Sequence, residues 1–520
     1  MAAIITDDFR RNQAELLVND IKASLDSAYD NSTPTNTMQD QHRTNSIYAI
    51  GLGKTDKWPN DISGKTEDTL DFIITAPRGT QQENEDIIHN LFTLKEVAKT
   101  GVSQLIAKNT WTQGRKYKAY DASDNDCFYV TGDVYPSYVT HNNQIYLCVS
   151  NTGLTNATSS PSGAQTAPSN TGQTVSASGD GYVWAHLQAL PTTGEKSKFI
   201  TPQFVPVLKL DPTADATAIG NSTTYQGGLL SHIGIVDGGT GYTSTTTVTV
   251  TATKLDGTVE TAISGFSFKP IISAAGVIER IEIQSSPAVG DTGNSTYWGS
   301  ALLKGLRGVT VTIADSNQPV TSRSAQAFGL VAPALGWGSD AIGVLPTWFV
   351  GVIAEFIGTQ NGDAPALKFR QVSLLKNFER NVADTDSTTE SYDALKYIEC
   401  ASITDTGLVP GDILKQDVSN ARFYFDAVDG NKLYYHQNSN GSVNYIDPIT
   451  GTNSIKVAVG ASVSAETVIA SSITSIHDGE FLQRDSVNNE INGEVIFHEN
   501  RVPFARTATQ TEEVKLIVQL

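Results

Sequence analysis

Two segments of the chain place apolar residues at helical spacing. One runs from Asp7 to Ala28, and the other runs from Glu83 to Thr100, where Gly101 follows as a stop signal. The apolar positions near a 3.6-residue period are Phe9, Ala14, Leu17, Val18, Ile21 and Leu25 in the first segment, and Ile87, Ile88, Leu91, Leu94 and Val97 in the second. The pattern predicts two amphipathic helices, with the strand Ile47–Ile50 and a glycine turn between them.

Strand patterns dominate the remainder of the chain. They fill residues 111–190, 229–298, 392–480 and 493–520, as short runs rich in Thr, Val, Ile and Tyr between glycine turns. The run Thr247–Thr251 alternates strictly, and Asp429-Gly430 is a hairpin signal between two apolar runs. The tract Ser150–Gly179 is too polar to bury and is predicted to be a surface loop. We therefore expect a mainly β protein with a few helices (α+β).

Composition agrees with this fold class and narrows the set of partners. A chain of 520 residues, with 18% charged and 39% hydrophobic residues, is long enough for two to four domains. The formal net charge is −19, and the longest basic patch is Arg115–Lys118. Nucleic-acid binding depends on clustered Lys and Arg that release counterions. Neither nucleic acid nor an anionic membrane is therefore an expected partner.

Cysteine usage and hydropathy indicate the cellular compartment in which the chain is made. Cys127, Cys148 and Cys400 are an odd number without CxxC spacing, which is typical of a reducing cytoplasm. The N-terminus has no signal-peptide pattern, and the most apolar stretch, Val344–Ile357, is too short to span a bilayer. We expect synthesis in a cytoplasm and no membrane anchor.

The stretch GLGKTDKWPND, Gly51–Asp61, contains the end of a phosphate-binding loop. Such a loop needs a first glycine five places before Gly53, where this chain has Tyr48, and it needs a helix after the Lys-Thr pair. Pro59 disfavours helical geometry at Trp58. The stretch is better interpreted as a strand that ends in a glycine-rich turn.

No set of residues in the sequence forms a recognisable catalytic or metal site. The eight histidines are scattered, and no Gly-x-Ser-x-Gly elbow occurs. His498 beside Glu499 is a lone pair that lacks convergent ligands. We expect no catalytic residue, no cofactor, no metal and no enzymatic activity.

Aromatic residues cluster between Trp111 and Tyr146. They are Trp111, Tyr117, Tyr120, Tyr135, Tyr138 and Tyr146. Rings in a small β unit either fill its core or stack on sugars, and core is the better default because Trp and Tyr bury large areas. The spacing resembles that of small carbohydrate-binding modules, so an adhesion protein that binds carbohydrate through these rings is the alternative hypothesis.

Several stretches together resemble one protein family. They are AIITDDFR (Ala3–Arg10), IYAIGLGKTDKWPND (Ile47–Asp61), GDGYVWAHL (Gly179–Leu187), KFRQVSLL (Lys368–Leu375), GEVIFHENRVPF (Gly493–Phe504) and QTEEVKLI (Gln510–Ile517). In this order they resemble the gene product eight family of baseplate wedge subunits from contractile-tailed bacteriophages of the T-even type. The resemblance covers roughly half of the chain.

The resemblance singles out fourteen residues as motif residues that specify the fold. They are Gly51, Gly53, Trp58, Trp111, Tyr182, Trp184, Phe369, Arg370, Gln371, Glu499, Asn500, Arg501, Glu512 and Glu513. The glycine stretch then corresponds to the family's turn before Trp and has no phosphate to hold. From the adjoining β runs and turns we also expect Trp58, Trp111 and Trp184 to be core residues of the N-terminal domain.

The resemblance implies a multi-domain protein with a β-sandwich-like core and two inserted small β modules. The implied divisions are 1–200 for the first part of the wedge core, 201–310 for the first module, 311–385 for further core, 386–485 for the second module, and 486–520 for the closing strands. We expect the modules to fold semi-independently, because their alternating, glycine-turn pattern is self-contained and a long insertion adds little loop-closure entropy.

The implied role is structural, in the virion. Members of the family form homodimers in the wedges of the tail baseplate, where they link inner wedge subunits to peripheral and fibre-bearing proteins and take part in the rearrangement during infection. An enzyme is the third hypothesis. Exposed, coplanar rings would favour the carbohydrate-binding alternative, whereas buried rings and large interfaces between chains would favour the wedge subunit.

Overall fold

The computed structural model describes most of the chain. The described residues are 6–23, 46–122, 125–151, 165–171, 175–177, 182–209, 228, 230–254, 256–260, 266–285, 306–319, 322–333, 336–357, 367–378, 391–404, 407–419, 421–439, 443–445, 447–460, 463–479, 481, 483, 492–507 and 510–520. Much of the predicted surface loop Ser150–Gly179, and Ala3–Ile5 of the first motif, lie outside them.

The chain divides into two compact units, each built from separated parts of the sequence. Unit 1 comprises Met1–Glu15, Ser103–Val350 and Gln519–Leu520, and unit 2 comprises Leu16–Val102 and Gly351–Val518. Residues 201–310 belong to unit 1 and residues 386–485 belong to unit 2. The finer domain boundaries stay a prediction.

Helices are few and short in the described residues. They are α1 (Asp7–Ala23), α2 (Gln81–Asn90) and α3 (Ala341–Val344), with 3-10 helices at Lys99–Gly101, Asn125–Phe128 and Glu195–Phe199. Thr80 caps α2, since its hydroxyl accepts a hydrogen bond from the Glu83 amide at 3.2 Å. The predicted first helix is confirmed over Asp7–Ala23, and the remaining residues of its predicted range, 24–28, lie outside the described residues.

Strands make up most of the regular structure, and the mainly β fold class is confirmed. The strands are β1 (Tyr48–Gly53), β2 (Leu91–Glu96), β3 (Val102–Ala107), β4 (Lys116–Tyr117), β5 (Val134–Tyr135), β6 (Tyr138–His141), β7 (Gln144–Ser150), β8 (Val175–Ala177), β9 (Val183–Ala189), β10 (Phe204–Pro206), β11 (Leu230–Asp237), β12 (Thr247–Lys254), β13 (Val259–Glu260), β14 (Phe266–Ile272), β15 (Ile278–Ser285), β16 (Leu306–Ala314), β17 (Gln326–Val331), β18 (Phe349–Ile357), β19 (Lys368–Lys376), β20 (Ser391–Asp393), β21 (Lys396–Cys400), β22 (Ile413–Gln416), β23 (Arg422–Asp429), β24 (Lys432–His436), β25 (Ile455–Val459), β26 (Val468–Ala470), β27 (Ile473–His477), β28 (Glu494–Ala505) and β29 (Thr511–Gln519).

Unit 2 contains two large antiparallel sheets. The five-stranded sheet has the order β20-β2-β1-β19-β28, so β1 lies at its centre and β28 at its edge. The seven-stranded sheet has the order β26-β25-β22-β23-β24-β21-β27 and lies wholly within residues 386–485. Each sheet has its own apolar core, formed around Leu91 and Leu375 in the first and around Phe423 and Leu433 in the second.

Unit 1 is a set of smaller sheets with a large apolar core and a separate cluster of aromatic residues around Trp184. Strands β6, β7, β9 and β8 form a four-stranded sheet, and β11, β12 and β14 pair with β17, β16 and β15. The core extends from Ile106 through Leu230 and Ile281 to Trp348. Because β16 spans the predicted module boundary at residue 310, the strands of the first module pair with partners on both sides of it.

Two local predictions are wrong. The predicted helix Glu83–Thr100 ends at Asn90, and residues 91–96 form β2. Leu91, Phe92, Thr93 and Leu94 are all buried, which suits a strand covered on both faces rather than a helix with one apolar face. The predicted glycine turn is also displaced, since Gly51 and Gly53 both belong to β1 and the turn begins at Lys54.

Candidate functional site

The two motif glycines allow β2 and its neighbours to approach β1 closely. A Cβ atom on Gly53 would lie 2.8 Å from the carbonyl oxygen of Asn90, and one on Gly51 would lie 2.6 Å from Cδ2 of Leu91. At Gly53 the obstructing atom belongs to the backbone, so the strand needs glycine there, whereas at Gly51 the Leu91 side chain would have to shift. The chain then turns at Lys54, whose φ of 58° is left-handed.

The turn leads into a group of buried polar and charged side chains, which we call the charge cluster: Lys54, Thr55, Asp56, Asp426 and His436. Lys54 Nζ lies 2.7 Å from an oxygen of Asp56, and the other oxygen of Asp56 lies 3.4 Å from Nε2 of His436. Nδ1 of His436 lies 2.9 Å from Asp426, whose carboxylate also accepts a hydrogen bond from the Thr55 hydroxyl. The cluster joins the turn after β1 to strands β23 and β24.

Pairing of opposite charges sets the protonation states in the cluster. Burial alone would lower the pKa of His436, but the carboxylates of Asp426 and Asp56 outweigh it and raise that pKa to about 9. Burial would raise the pKa of Asp56, yet Lys54 and His436 hold it well below its usual range. At neutral pH His436 is therefore a cation and Asp56 is a carboxylate.

The composition of the cluster superficially suits nucleophilic catalysis, because it includes a hydroxyl, an imidazole and a carboxylate. All five side chains are buried, however. The Thr55 hydroxyl donates to Asp426, and its 3.4 Å contact with the imidazole is to Nδ1, the same nitrogen that contacts Asp426. A substrate would need access to these groups. The arrangement is suited to fixing the turn and the two strands, and its ion pairs are internal.

A second polar group surrounds Arg370 on β19. Its guanidinium donates to both oxygens of the Glu67 carboxylate, at 2.7 and 2.5 Å, and to the carbonyl oxygen of Thr55 at 2.6 Å. Both side chains of this ion pair are only 2% exposed. The amide of Trp58 also donates to Glu67, at 3.0 Å. Burial alone would raise the pKa of Glu67, but these donors outweigh the effect of burial. The pKa of Glu67 is lowered.

Motif residues on three neighbouring strands contact one another around this group. Gln371 donates to the Asn500 side chain at 2.9 Å. The ring of Phe369 packs against that of Phe504, with 5.4 Å between the ring centroids. The indole of Trp58 donates to the carbonyl oxygen of Arg501 at 2.9 Å. The motif stretches at residues 51–58, 369–371 and 499–501 therefore lie together in unit 2, on β1, β19 and β28 and in the segment after β1.

The remaining motif residues of unit 2 make local ion pairs. Glu499 lies 3.7 Å from Arg501, Glu512 lies 2.9 Å from Arg506, and Glu513 lies 2.8 Å from Lys515. Burial raises the pKa of Glu512 despite the Arg506 charge. The paired carboxylates of Glu512 and Glu513 thus have separate partners.

The aromatic residues of unit 1 form a packed cluster. Tyr182 and Trp184 are buried, and their rings stack with 5.6 Å between the centroids. The hydroxyl of Tyr182 accepts a hydrogen bond from the Tyr117 amide at 3.0 Å. Four of the six rings named in the sequence analysis are buried, whereas Trp111 and Tyr135 are partly exposed. This burial favours a core role over a carbohydrate platform.

The three motif tryptophans do not share one environment. Trp184 is buried as predicted, but Trp111 is half-buried, and so is Trp58, which belongs to unit 2. The core prediction is therefore wrong for Trp58, whereas Trp111 is partly buried and packs against the core cluster around Trp184.

Sequence analysis missed the partners Glu67, Asp426 and His436. A local signal existed for two of them, because Asp426 interrupts the apolar run of β23 and His436 ends the apolar run of β24, which pairs with it. A charged residue inside an apolar strand requires a buried partner. The partner residue lies some 370 positions away along the chain, so no local sequence pattern identifies it.

Among the described residues, no group of three or more His, Cys, Asp and Glu side chains could hold a metal ion. His498 lies 3.8 Å from Glu83. No helix in the described part of the chain is long and apolar enough to cross a membrane.

No protein-family model matches this chain, and no curated protein matches it.

Proposed function

We propose that this chain is a structural subunit of the baseplate wedge in a contractile phage tail. The observation that carries the proposal is the convergence of the motif residues. Trp58, Arg370 and Asn500 come from stretches separated by hundreds of residues, and their side chains belong to one hydrogen-bonded framework on adjacent strands.

Convergence supports the proposal because chance matches to a family pattern have no reason to meet in space. Residues that specify a shared scaffold must lie together, since their role is to fix the same backbone geometry. The reactive side chains near the framework are engaged in internal ion pairs, which suits a scaffold.

In this role the protein links inner wedge subunits to peripheral and fibre-bearing proteins. It acts as a homodimer, it is made in the host cytoplasm and it resides in the tail baseplate of the virion. Its net charge of −19 favours solubility before assembly.

The test is to interrupt the gene with a stop codon in the virus that encodes it and to examine the tails by electron microscopy. We expect tails without complete baseplates, and restoration when the wild-type chain is supplied from a plasmid. Mass spectrometry of purified wild-type tails should detect the chain. Normal baseplates in its absence would contradict the proposal.

A further inference from the structure

The seven-stranded sheet of unit 2 is joined to the five-stranded sheet by two short connections that lie side by side. On the way in, β20 ends at Asp393 and β21 begins at Lys396; on the way out, β27 ends at His477. The amide of Phe481 donates to the carbonyl oxygen of Asp393 at 3.1 Å. A Cβ atom on Gly479 would lie 2.7 Å from the same oxygen, so glycine allows the two connections to approach closely.

Membership of the two apolar cores changes at these connections. Ala394 and Phe481 belong to the core of the five-stranded sheet, whereas Ile398 and Ile473 belong to the core of the seven-stranded sheet. We call residues 396–477 the seven-stranded module. A segment with its own core and adjacent connections has the anatomy of a domain, and rotation at the connections would leave both cores intact.

The surface that α2 turns toward this module is polar. It consists of residues at helical spacing, namely Gln82, Glu85, Asp86, His89 and Asn90, while Ile87 and Ile88 contribute to the apolar side of the helix. The polar face of an amphipathic helix is ordinarily the face that lies in water. The module therefore covers a surface that is also compatible with solvent.

Hydrogen bonds and one ring contact join α2 to the loop after β24, and we call these contacts the latch. The Asp86 carboxylate accepts from the Ser439 amide at 2.8 Å and from the Ser439 hydroxyl at 2.6 Å. The Tyr445 hydroxyl donates to Glu85 at 2.8 Å. The Tyr445 ring stacks on His89 with 4.4 Å between the ring centroids. Three of these contacts are thus hydrogen bonds to carboxylates.

The contacts beside the latch are polar as well. Asn438 donates to the Asn90 side chain at 3.1 Å, and His436 of the charge cluster lies 3.4 Å from Asp56. Water replaces protein hydrogen bonds at a modest net cost, and a buried ion pair that separates regains the hydration that it lost on burial. Separation at this surface therefore costs far less than exposure of an apolar core of the same area.

We propose that the seven-stranded module undocks from α2 as a folded unit, by rotation at residues 394–395 and 478–479, and that the latch holds it in the docked position. The movement gives unit 2 a second arrangement in which neither sheet unfolds and the polar face of α2 is uncovered. The adjacent connections, the separate cores and the polar contact surface carry the inference, which is independent of the proposed function.

The first test measures the distance between two spin labels on the purified full chain by double electron–electron resonance. The labels are attached at Ile496→Cys on β28 and Val459→Cys on β25, both exposed positions, whereas the native cysteines are buried. Strand β25 lies four strands from β21, where one connection begins. At about 4.8 Å per strand this is an arm of about 19 Å, so a rotation of about 30° moves the label by about 10 Å.

The latch variant combines Asp86→Ala with Tyr445→Phe, which removes the hydrogen bonds to both carboxylates. The matched control combines Asp61→Ala with Tyr434→Phe, because the bonds of Asp61 stay within its own loop and the Tyr434 ring packs on Tyr397 inside the module. Since hydrogen bonds to charged groups are the stronger ones, we expect the ratio of undocked to docked molecules to rise about 100-fold in the latch variant. A second, longer distance should appear there and not in the control.

Amide hydrogen exchange distinguishes undocking from unfolding. Peptides from β1, β23 and β24 should keep their protection in the latch variant, because both sheets stay folded. Loss of protection in β23 and β24 together with the longer distance would show that the module unfolds, and would overturn the proposal. A single, unchanged distance in the latch variant would overturn it as well, and so would the same longer distance in the control.

Tyr445→Phe alone provides a milder test should the double variant fail to fold. It keeps the ring that stacks on His89 and removes only the bond to Glu85. Because the Ser439 amide is bonded to Asp86 only in the docked position, its exchange rate reports the undocked fraction. We expect this rate to rise about tenfold with no change in β1 and β23. An equal acceleration in all three places would overturn the proposal.

Discussion

Raising the pH from about 6 to about 8.5 should destabilise unit 2, because His436 loses its charge between two carboxylates. The pKa of His436 is raised from 6.5 to about 9 by Asp426 and Asp56. A group whose pKa is raised on folding contributes stability that is fully present below its unfolded pKa and is lost as the pH rises through its folded pKa. The contribution is therefore complete below pH 6.5 and disappears near pH 9.

The magnitude follows from the difference between these two pKa values. Each unit corresponds to about 1.4 kcal/mol, so the full contribution is about 3 kcal/mol, of which roughly 2 kcal/mol is lost by pH 8.5. Asp56 does not disturb this window. Its lowered pKa contributes stability that is present above the ordinary carboxyl pKa and is lost only in acid.

The assay is amide hydrogen exchange of peptides from β1 and β24, corrected for the pH dependence of intrinsic exchange, together with urea unfolding of the full chain. His436→Gln removes the charge and should lower stability at pH 6 by about 3–5 kcal/mol, since it leaves two buried carboxylates with one cation. Its stability should then show no comparable decline up to pH 8.5.

His186→Gln is the matched control in unit 1. Burial lowers the pKa of His186 to about 4, so this imidazole is neutral throughout the window and its replacement should leave the pH dependence intact. A wild-type protein with constant stability between pH 6 and 8.5 would refute the reasoning. So would the same decline in His436→Gln.

Three other changes test the packing. Trp184→Ala should cost about 3–5 kcal/mol because the indole is buried, and an unchanged urea midpoint would count against its core role. Gly53→Ala should lower the melting temperature, since the new Cβ would lie 2.8 Å from the Asn90 carbonyl oxygen; a stable variant would show that β2 can shift. Deletion of Lys515–Leu520 removes the buried Leu516 from β29 and should cause aggregation or loss of the dimer in light scattering, whereas an unchanged mass and melting temperature would make the C-terminal strand dispensable.

Periodicity in the sequence predicted elements well where one face of a segment is buried, and less well where both faces are buried. The helix α1 has a single apolar face and was predicted at its correct start. Leu91 and Leu94 fit the helical period after Ile87 and Ile88, but they lie in a central region of the sheet, where Phe92 and Thr93 between them are buried as well. A helical period and a continuous buried strand cannot be distinguished over so few residues.

Only half of the candidate site could be predicted from the sequence, for a different reason. Its near half, Gly51–Trp58, is contiguous and was singled out by its glycines and its tryptophan. Its far half, Asp426 and His436, contacts the turn through side-chain hydrogen bonds between residues 371 and 380 positions apart. Sequence patterns report local geometry, and a buried ion pair is defined by tertiary contacts that no local period encodes.

The contacts of Lys54 explain why a stretch that ends like a phosphate-binding loop has a structural role instead. In such a loop the lysine must remain available to an anion, and a following helix must present its free amides. Here Asp56 supplies the anion at 2.7 Å, and the Trp58 ring lies 4.8 Å from the Lys54 ammonium nitrogen. Asp56 of the same chain thus occupies the position that an anionic ligand would take beside Lys54. Since the same turn contacts Asp426 and His436 through its side chains and Arg370 through a carbonyl oxygen, it links the five-stranded sheet of unit 2 to the seven-stranded sheet.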